Sequence, residues 1–206
     1  MMEQEGTAGS LVESGTNRML SLSDGVFAFA MTLLVLGLNI PNPKEVPEPL
    51  LARQVLTQWP SFMVWAISFF VTGSFWLGHH RVFSLLRVHD DGLAWLNLLL
   101  LLSVTFLPFP TALLGRYSES RFAVIFYAGS LFFAATVWSS IEFYILTHRR
   151  LLKQGITAAT LRRNLRRTAA MQLVCLLSIG ISFLTVTWAP LSWALIPVAQ
   201  RIATKR

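Results

Sequence analysis

Apolar residues in this chain come in long uninterrupted blocks instead of the short alternations of a water-soluble domain. Residues 20–40, 59–77, 93–114, 122–146 and 169–186 form five such runs, and 188–198 forms a shorter sixth. A helix rises about 1.5 Å per residue, so crossing the hydrocarbon of a bilayer takes about 20 residues. Five blocks meet that length and the sixth is marginal. Almost no linker separates the fifth from the sixth, and Pro190 and Pro197 interrupt the latter. A tight helical hairpin and a single bent segment with a surface-lying end both fit this stretch. The polar residues 1–17 read as a tail, 18–202 as one membrane domain and 203–206 as a second, basic tail.

Charge gives the blocks a direction. The chain carries 17 Lys and Arg residues. Thirteen of them (Arg18, Arg81, Arg87, Arg149, Arg150, Lys153, Arg162, Arg163, Arg166, Arg167, Arg201, Lys205 and Arg206) fall on one side of a six-span arrangement. The other four (Lys44, Arg53, Arg116 and Arg121) fall on the opposite side. Basic loops stay in the cytoplasm, which predicts six spans with both termini cytoplasmic; an odd number would send the basic tail outside. Segment 151–167 reads as an amphipathic helix on the inner leaflet, and Trp59, Trp95, Trp188 and Trp193 as interfacial anchors.

Composition sharpens the class. Apolar residues make up 54% of the chain and charged ones 13%, as in an integral membrane protein. The net charge of +7 is concentrated beside spans and suits anionic lipid headgroups; no recognition motif accompanies it, so nucleic acid is not an expected partner. A single cysteine, Cys175, excludes a disulfide framework within the chain; it reads as an apolar filler. The first three spans do not recur in the last three, unlike the inverted repeats common in transporters. Six helices enclose little space alone, so a conducting path requires symmetry between subunits.

The most informative position is Asp24, in the first span close to Arg18. An ionised carboxylate at membrane depth costs roughly 2.5 to 3.5 kcal/mol on insertion scales, so Asp24 requires a partner inside the bundle or contact with a water path. In the third and fourth spans, Pro108 and Pro110 predict a bend, while Glu142, Tyr144 and His148 are candidates for a proton relay or for an interfacial cluster. His79, His80, His89, Asp90 and Asp91 raise the alternative of a membrane-embedded metal-dependent hydrolase, although their spacing matches no metal-ligand motif.

Three ordered segments carry a resemblance. RMLSLSDGVFAFAMTLLVL from Arg18, WLGHHRVF from Trp76 and LAWLNLLLLLSVTFLPFPTALLG from Leu93 resemble the transmembrane protein 175 family. Its RxxxFSD signature is matched by Arg18, Ser23 and Asp24, with Leu22 replacing the Phe. The resemblance covers about the first 115 residues and implies an all-α potassium channel, not an enzyme. It implies four six-helix subunits, with the first helix of each lining a central pore in the bacterial plasma membrane and no cofactor. A proton or other monovalent-cation leak through the same pore is the alternative of the same class. The chain has no TVGYG-like filter, so selectivity is expected from side chains. Carried over position by position, the pore-narrowing residues are Phe29, Thr32, Leu33 and Leu36; Phe29 departs from the family's usual Ile or Leu. These four positions follow i, i+3, i+4, i+7 spacing and share one helix face. The resemblance also implies a structural clasp joining Arg18, Ser23 and Asp24 to His79, His80 and Asn97.

Overall fold

A computed structural model describes residues 2–186 and 190–203. Among them the structure is helical, with one isolated antiparallel bridge between Leu86 and Leu152. Helix α1 (Met2–Leu33) tightens into a 3-10 turn, Leu34–Gly37. The short α2 (Glu48–Thr57) follows, with no buried residue, and leads into α3 (Trp59–Phe83). Helices α4 (Asp91–Phe106), α5 (Pro108–Arg116), α6 (Arg121–Thr147) and α7 (Ala158–Leu184) complete the bundle. A 3-10 segment, Pro190–Leu195, and α8 (Ile196–Ile202) end it.

Local chemistry sets the boundaries. Asp90 caps α4 by accepting the Leu93 backbone N–H at 3.1 Å, and the Ser120 hydroxyl caps α6 by accepting that of Ala123 at 3.4 Å; each satisfies a donor that the first turn leaves orphaned. Pro108 and Pro110 lack an N–H, so the hydrogen-bond ladder breaks at Leu107 and α5 follows α4 as a separate element of one membrane-length unit.

Five helical stretches are long and apolar enough to cross a membrane: Gly15–Gly37, Trp59–Phe83, Asp91–Arg116, Arg121–Thr147 and Ala158–Leu184. They overlap the five long blocks of the sequence, but the first begins five residues earlier and ends three short, and the fifth begins eleven earlier and ends two short. The expected sixth span is different, because Pro190–Leu195 and Ile196–Ile202 are too short to join this set. The segment nevertheless runs from one end of the bundle towards the other. The Trp193 ring packs on Tyr127, near the start of α6, at 4.4 Å between centroids. Gln200 and Arg201 line a cavity with Arg81, near the end of α3, and Arg167.

Other expectations shift with it. Residues read as an N-terminal tail continue α1 back to Met2. The basic segment 151–167 is not a separate surface helix, because its second half forms the opening turns of α7. Trp59 and Trp95 are exposed, but Trp193 is buried beneath Tyr127; Trp188 lies outside the described residues. Cys175 is fully buried.

Helix α6 is the centre of the bundle, with Ala128, Leu131, Ala134, Ala135 and Ile141 fully enclosed. Small residues there let helices approach closely, the main source of packing energy once apolar side chains gain nothing by leaving lipid. Near the start of α3, Ser68, Tyr127 and Thr111 form a buried polar knot, with bonds of 2.8 and 3.1 Å tying α3, α6 and α5 together. Helix α1 packs on α3 and α4 and presses its 3-10 end against α5. A Cβ on Gly37 would lie 2.9 Å from that of Ala112, so glycine permits this approach.

Candidate functional site

Two faces of α1 have opposite characters. Ser23, Phe27, Ala30 and Leu34, spaced i, i+4, i+7 and i+11, are buried against the bundle. The other face presents Phe29, 62% exposed, and Leu36, 72% exposed, with Thr32 exposed between them. Leu33 is half-buried and sits at the edge of this stripe. Gly25 and Ala28 continue the exposed face towards the helix start. The Thr32 hydroxyl donates to its own helix at the Phe29 carbonyl, 2.8 Å away. With its proton directed along the helix, the oxygen keeps lone pairs able to accept.

The polar residues of the opposite face are held by a chain of buried hydrogen bonds. Ser23 donates to the Met19 carbonyl at 2.9 Å and accepts the Asn97 side-chain N–H at 3.0 Å. The Asn97 carbonyl oxygen accepts from His79 Nε2 at 2.9 Å. This orientation of the amide requires the Nε2-protonated tautomer of His79. Its Nδ1 is buried without a partner among the described residues. The His79 ring is stacked on Phe83 at 3.9 Å between centroids and flanked by Phe27 and Trp138. Three helices, α1, α3 and α4, are thus joined at one point by side chains that an apolar surround makes expensive to separate.

Asp24 has a partner the sequence analysis missed. The Trp76 indole N–H donates to Asp24 Oδ1 at 2.8 Å. The available signal was Trp76 lying three residues before His79, hence on the same side of α3. Arg18 and His80, expected in the clasp, stand apart from it. Arg18 is exposed and forms no ion pair with Asp24 among the described residues. His80 follows His79 by one residue, about 100° around the helix, which turns it outward; it is exposed, with its ring 6.1 Å from that of Trp76.

The residues proposed for a metal site diverge. His79 faces Asn97, His80 is exposed, and His89 meets the Thr16 hydroxyl at 3.1 Å. Asp90 receives the Tyr144 hydroxyl at 3.0 and 3.1 Å and pairs with Arg150 at 3.2 Å. Among the described residues no three His, Cys, Asp or Glu side chains gather as a metal site would require. Partial burial works to raise the Asp90 pKa, but the Leu93 N–H, the Tyr144 hydroxyl and Arg150 outweigh it and hold the carboxyl below its ordinary range. The suggested relay also separates: Tyr144 serves Asp90, His148 stacks on Tyr144, and Glu142 is buried, not interfacial, accepting the Thr168 hydroxyl at 2.9 Å.

Membrane-length helices, a clasped polar interior and an unpartnered stripe on the first helix define a multi-pass membrane protein with no assembled catalytic group among the described residues. Comparison with known proteins gives it a family. A family profile described as "Endosomal/lysosomal potassium channel TMEM175" matches residues 18–108. A potassium channel of Chamaesiphon minutus is 41% identical over 145 residues, 69% of this chain and 71% of that protein. A potassium channel of Streptomyces collinus is 34% identical over 186 residues, 88% of this chain and 87% of that protein. The crystal structure of a lysosomal potassium-selective channel TMEM175 homolog from Chamaesiphon minutus superposes with a TM-score of 0.81 at 31% identity, covering 94% of this chain and all of that one. The chain belongs to the TMEM175 family, a family of ion channels and not of enzymes.

Proposed function

We propose that this chain is one subunit of a homotetrameric potassium channel of the bacterial plasma membrane, with α1 of each subunit lining a shared axial pore. One observation carries the reading: the exposed Phe29, Thr32 and Leu36 stripe of a helix whose other face is locked into its own subunit. A fourfold axis converts that stripe into stacked rings. Phe29, Leu33 and Leu36 supply hydrophobic constrictions that gate by dewetting, and the Thr32 oxygens replace part of the hydration shell of a passing potassium ion. The names of the two bacterial relatives support potassium as the permeant ion. Passive conduction needs no cofactor.

The clasp of Ser23, Asp24, Trp76, His79 and Asn97 holds the inner end of the pore helix in one position. Arg18 and His80 lie beyond it in the isolated subunit and are available to neighbouring subunits. Six crossings, with both termini cytoplasmic, fit the thirteen-to-four distribution of basic residues. The return of α8 towards Arg81 and Arg167 supports the final crossing.

Purified protein in liposomes tests the reading. A potassium gradient is expected to set the membrane potential, with the reversal potential following potassium and not sodium or protons. A potential that follows the proton gradient alone makes the pore a proton leak, and no ionic current of any kind overturns the channel.

A further inference from the structure

Two cavities open end to end along α3. One, of about 330 Å³, is lined by Met63, Ile67, Trp193 and Ile196; the other, of about 580 Å³, runs past Phe69 and Leu77 to Arg81, Arg167 and Arg201. Phe70 and Ser74 line both, so the cavities are consecutive stretches of one groove. The groove changes character along its length. From Phe70 to Arg81 the helix rises roughly 16 Å, the depth of one leaflet of a hydrocarbon core about 30 Å thick. Apolar side chains line most of that depth, and three guanidinium groups meet at its end.

Two of those charges, Arg81 and Arg167, are not balanced within the subunit. Among the described residues the salt bridge formed is Arg150 with Asp90, and neither Arg81 nor Arg167 stands in one. The carboxyl near them, Glu142, is 2% exposed and already takes the Thr168 hydroxyl. Even with Glu142 ionised, the two cations Arg81 and Arg167 face one anion. A compact inorganic anion would match the arginines and leave the apolar length empty; an acyl chain alone would leave the arginines unpaired. A molecule with a phosphodiester on an acyl tail satisfies both, because guanidinium and phosphate form paired, charge-assisted hydrogen bonds.

We propose that this groove is a binding site for an anionic glycerophospholipid. Its phosphate lies between Arg81 and Arg167, and one acyl chain runs along Phe69, Phe70 and Leu77. The site rests on the membrane placement proposed above and is independent of conduction.

Trp76 forms part of the groove wall and is a built-in reporter. Full-length protein in phosphatidylcholine vesicles is titrated with phosphatidylglycerol brominated in its acyl chain, or with equally brominated phosphatidylcholine. Tryptophan quenching at low mole fraction is expected to be several-fold stronger for phosphatidylglycerol. The excess disappears in the Arg81→Gln/Arg167→Gln double variant, and soluble glycerol phosphate does not displace the lipid. Equal quenching by the two lipids in the unaltered protein overturns the site whether or not the variant folds. Retention of the excess in a folded double variant, or displacement by glycerol phosphate alone, overturns it as well. Liposome flux is read separately, so a failed lipid site and a failed channel give different results.

Discussion

Trp76 and Asp24, 52 residues apart, are joined by a 2.8 Å hydrogen bond from the indole N–H to the carboxylate. The pair answers the difficulty that an acidic residue in the first span creates. A carboxylate in an apolar setting is tolerable when a fixed donor meets it, and an indole supplies a donor while burying its own large apolar surface. The bond joins α1 to α3 on the turn adjacent to the Ser23, Asn97 and His79 chain, so this part of α1 is held at two neighbouring points.

Trp76→Phe keeps an aromatic ring and removes the donor. The unmet carboxylate is expected to cost about 1–3 kcal/mol. Thermal unfolding in detergent should show a lower midpoint, and Asp24→Asn combined with Trp76→Phe should recover part of the loss. Strict additivity of the two single changes would deny the coupling.

Asn97→Leu preserves approximate volume and deletes the central member of the polar chain. His79 then buries an N–H with no acceptor, again about 1–3 kcal/mol. The melting midpoint should fall clearly, whereas Leu98→Ala on the exposed side of α4 should move it little.

Changes on the exposed stripe should behave differently. Phe29→Ala and Thr32→Ala remove groups that make little contact within the subunit, so size-exclusion profiles should match the unaltered protein. Under the proposed function Phe29→Ala is expected to raise flux, and Thr32→Ala to bring potassium and sodium reversal potentials closer together. Asp24→Ala should instead impair assembly or opening. Equal loss of the oligomer in all three variants would refute the division between stripe and clasp.

Gly37 touches Ala112 so closely that a side chain cannot be added in place. Gly37→Val is expected to push the 3-10 end of α1 away from α5, at a cost of about 1–3 kcal/mol for overpacking. Lower thermal stability together with altered single-channel conductance checks this; unchanged values of both would show that the contact yields freely.

Asp90 gives a pH dependence of known sign. Its folded pKa is depressed, so its contribution is fully present above the unfolded value of about 3.9 and is lost as pH falls through that value towards the lower folded one. Unfolding midpoints measured between neutral and acidic pH should decline in that window. Asp90→Asn retains a competent helix cap but carries no charge for Arg150, so this part of the acid limb should flatten.

The number and approximate positions of the long spans were legible in the sequence because an apolar run is a local property; their ends were not, since polar turns at the starts of α1 and α7 continue those helices. Spacing alone showed that Phe29, Thr32, Leu33 and Leu36 share one face of a helix, but the choice of that face over packing within the subunit came from the family resemblance, not from periodicity. Charge asymmetry between loops was equally plain. Which polar groups meet was not, because it depends on the rotation of one helix against another. That rotation selected Trp76 for Asp24, turned His80 away while burying His79, enclosed Glu142, and sent His89 and Asp90 to different partners instead of a metal. It also folded the proline-broken final segment onto Tyr127 at one end and beside Arg81 at the other. Hydrophobicity determines what enters the bilayer; complementary packing of helix surfaces, resolved only in three dimensions, decides which buried donors find acceptors.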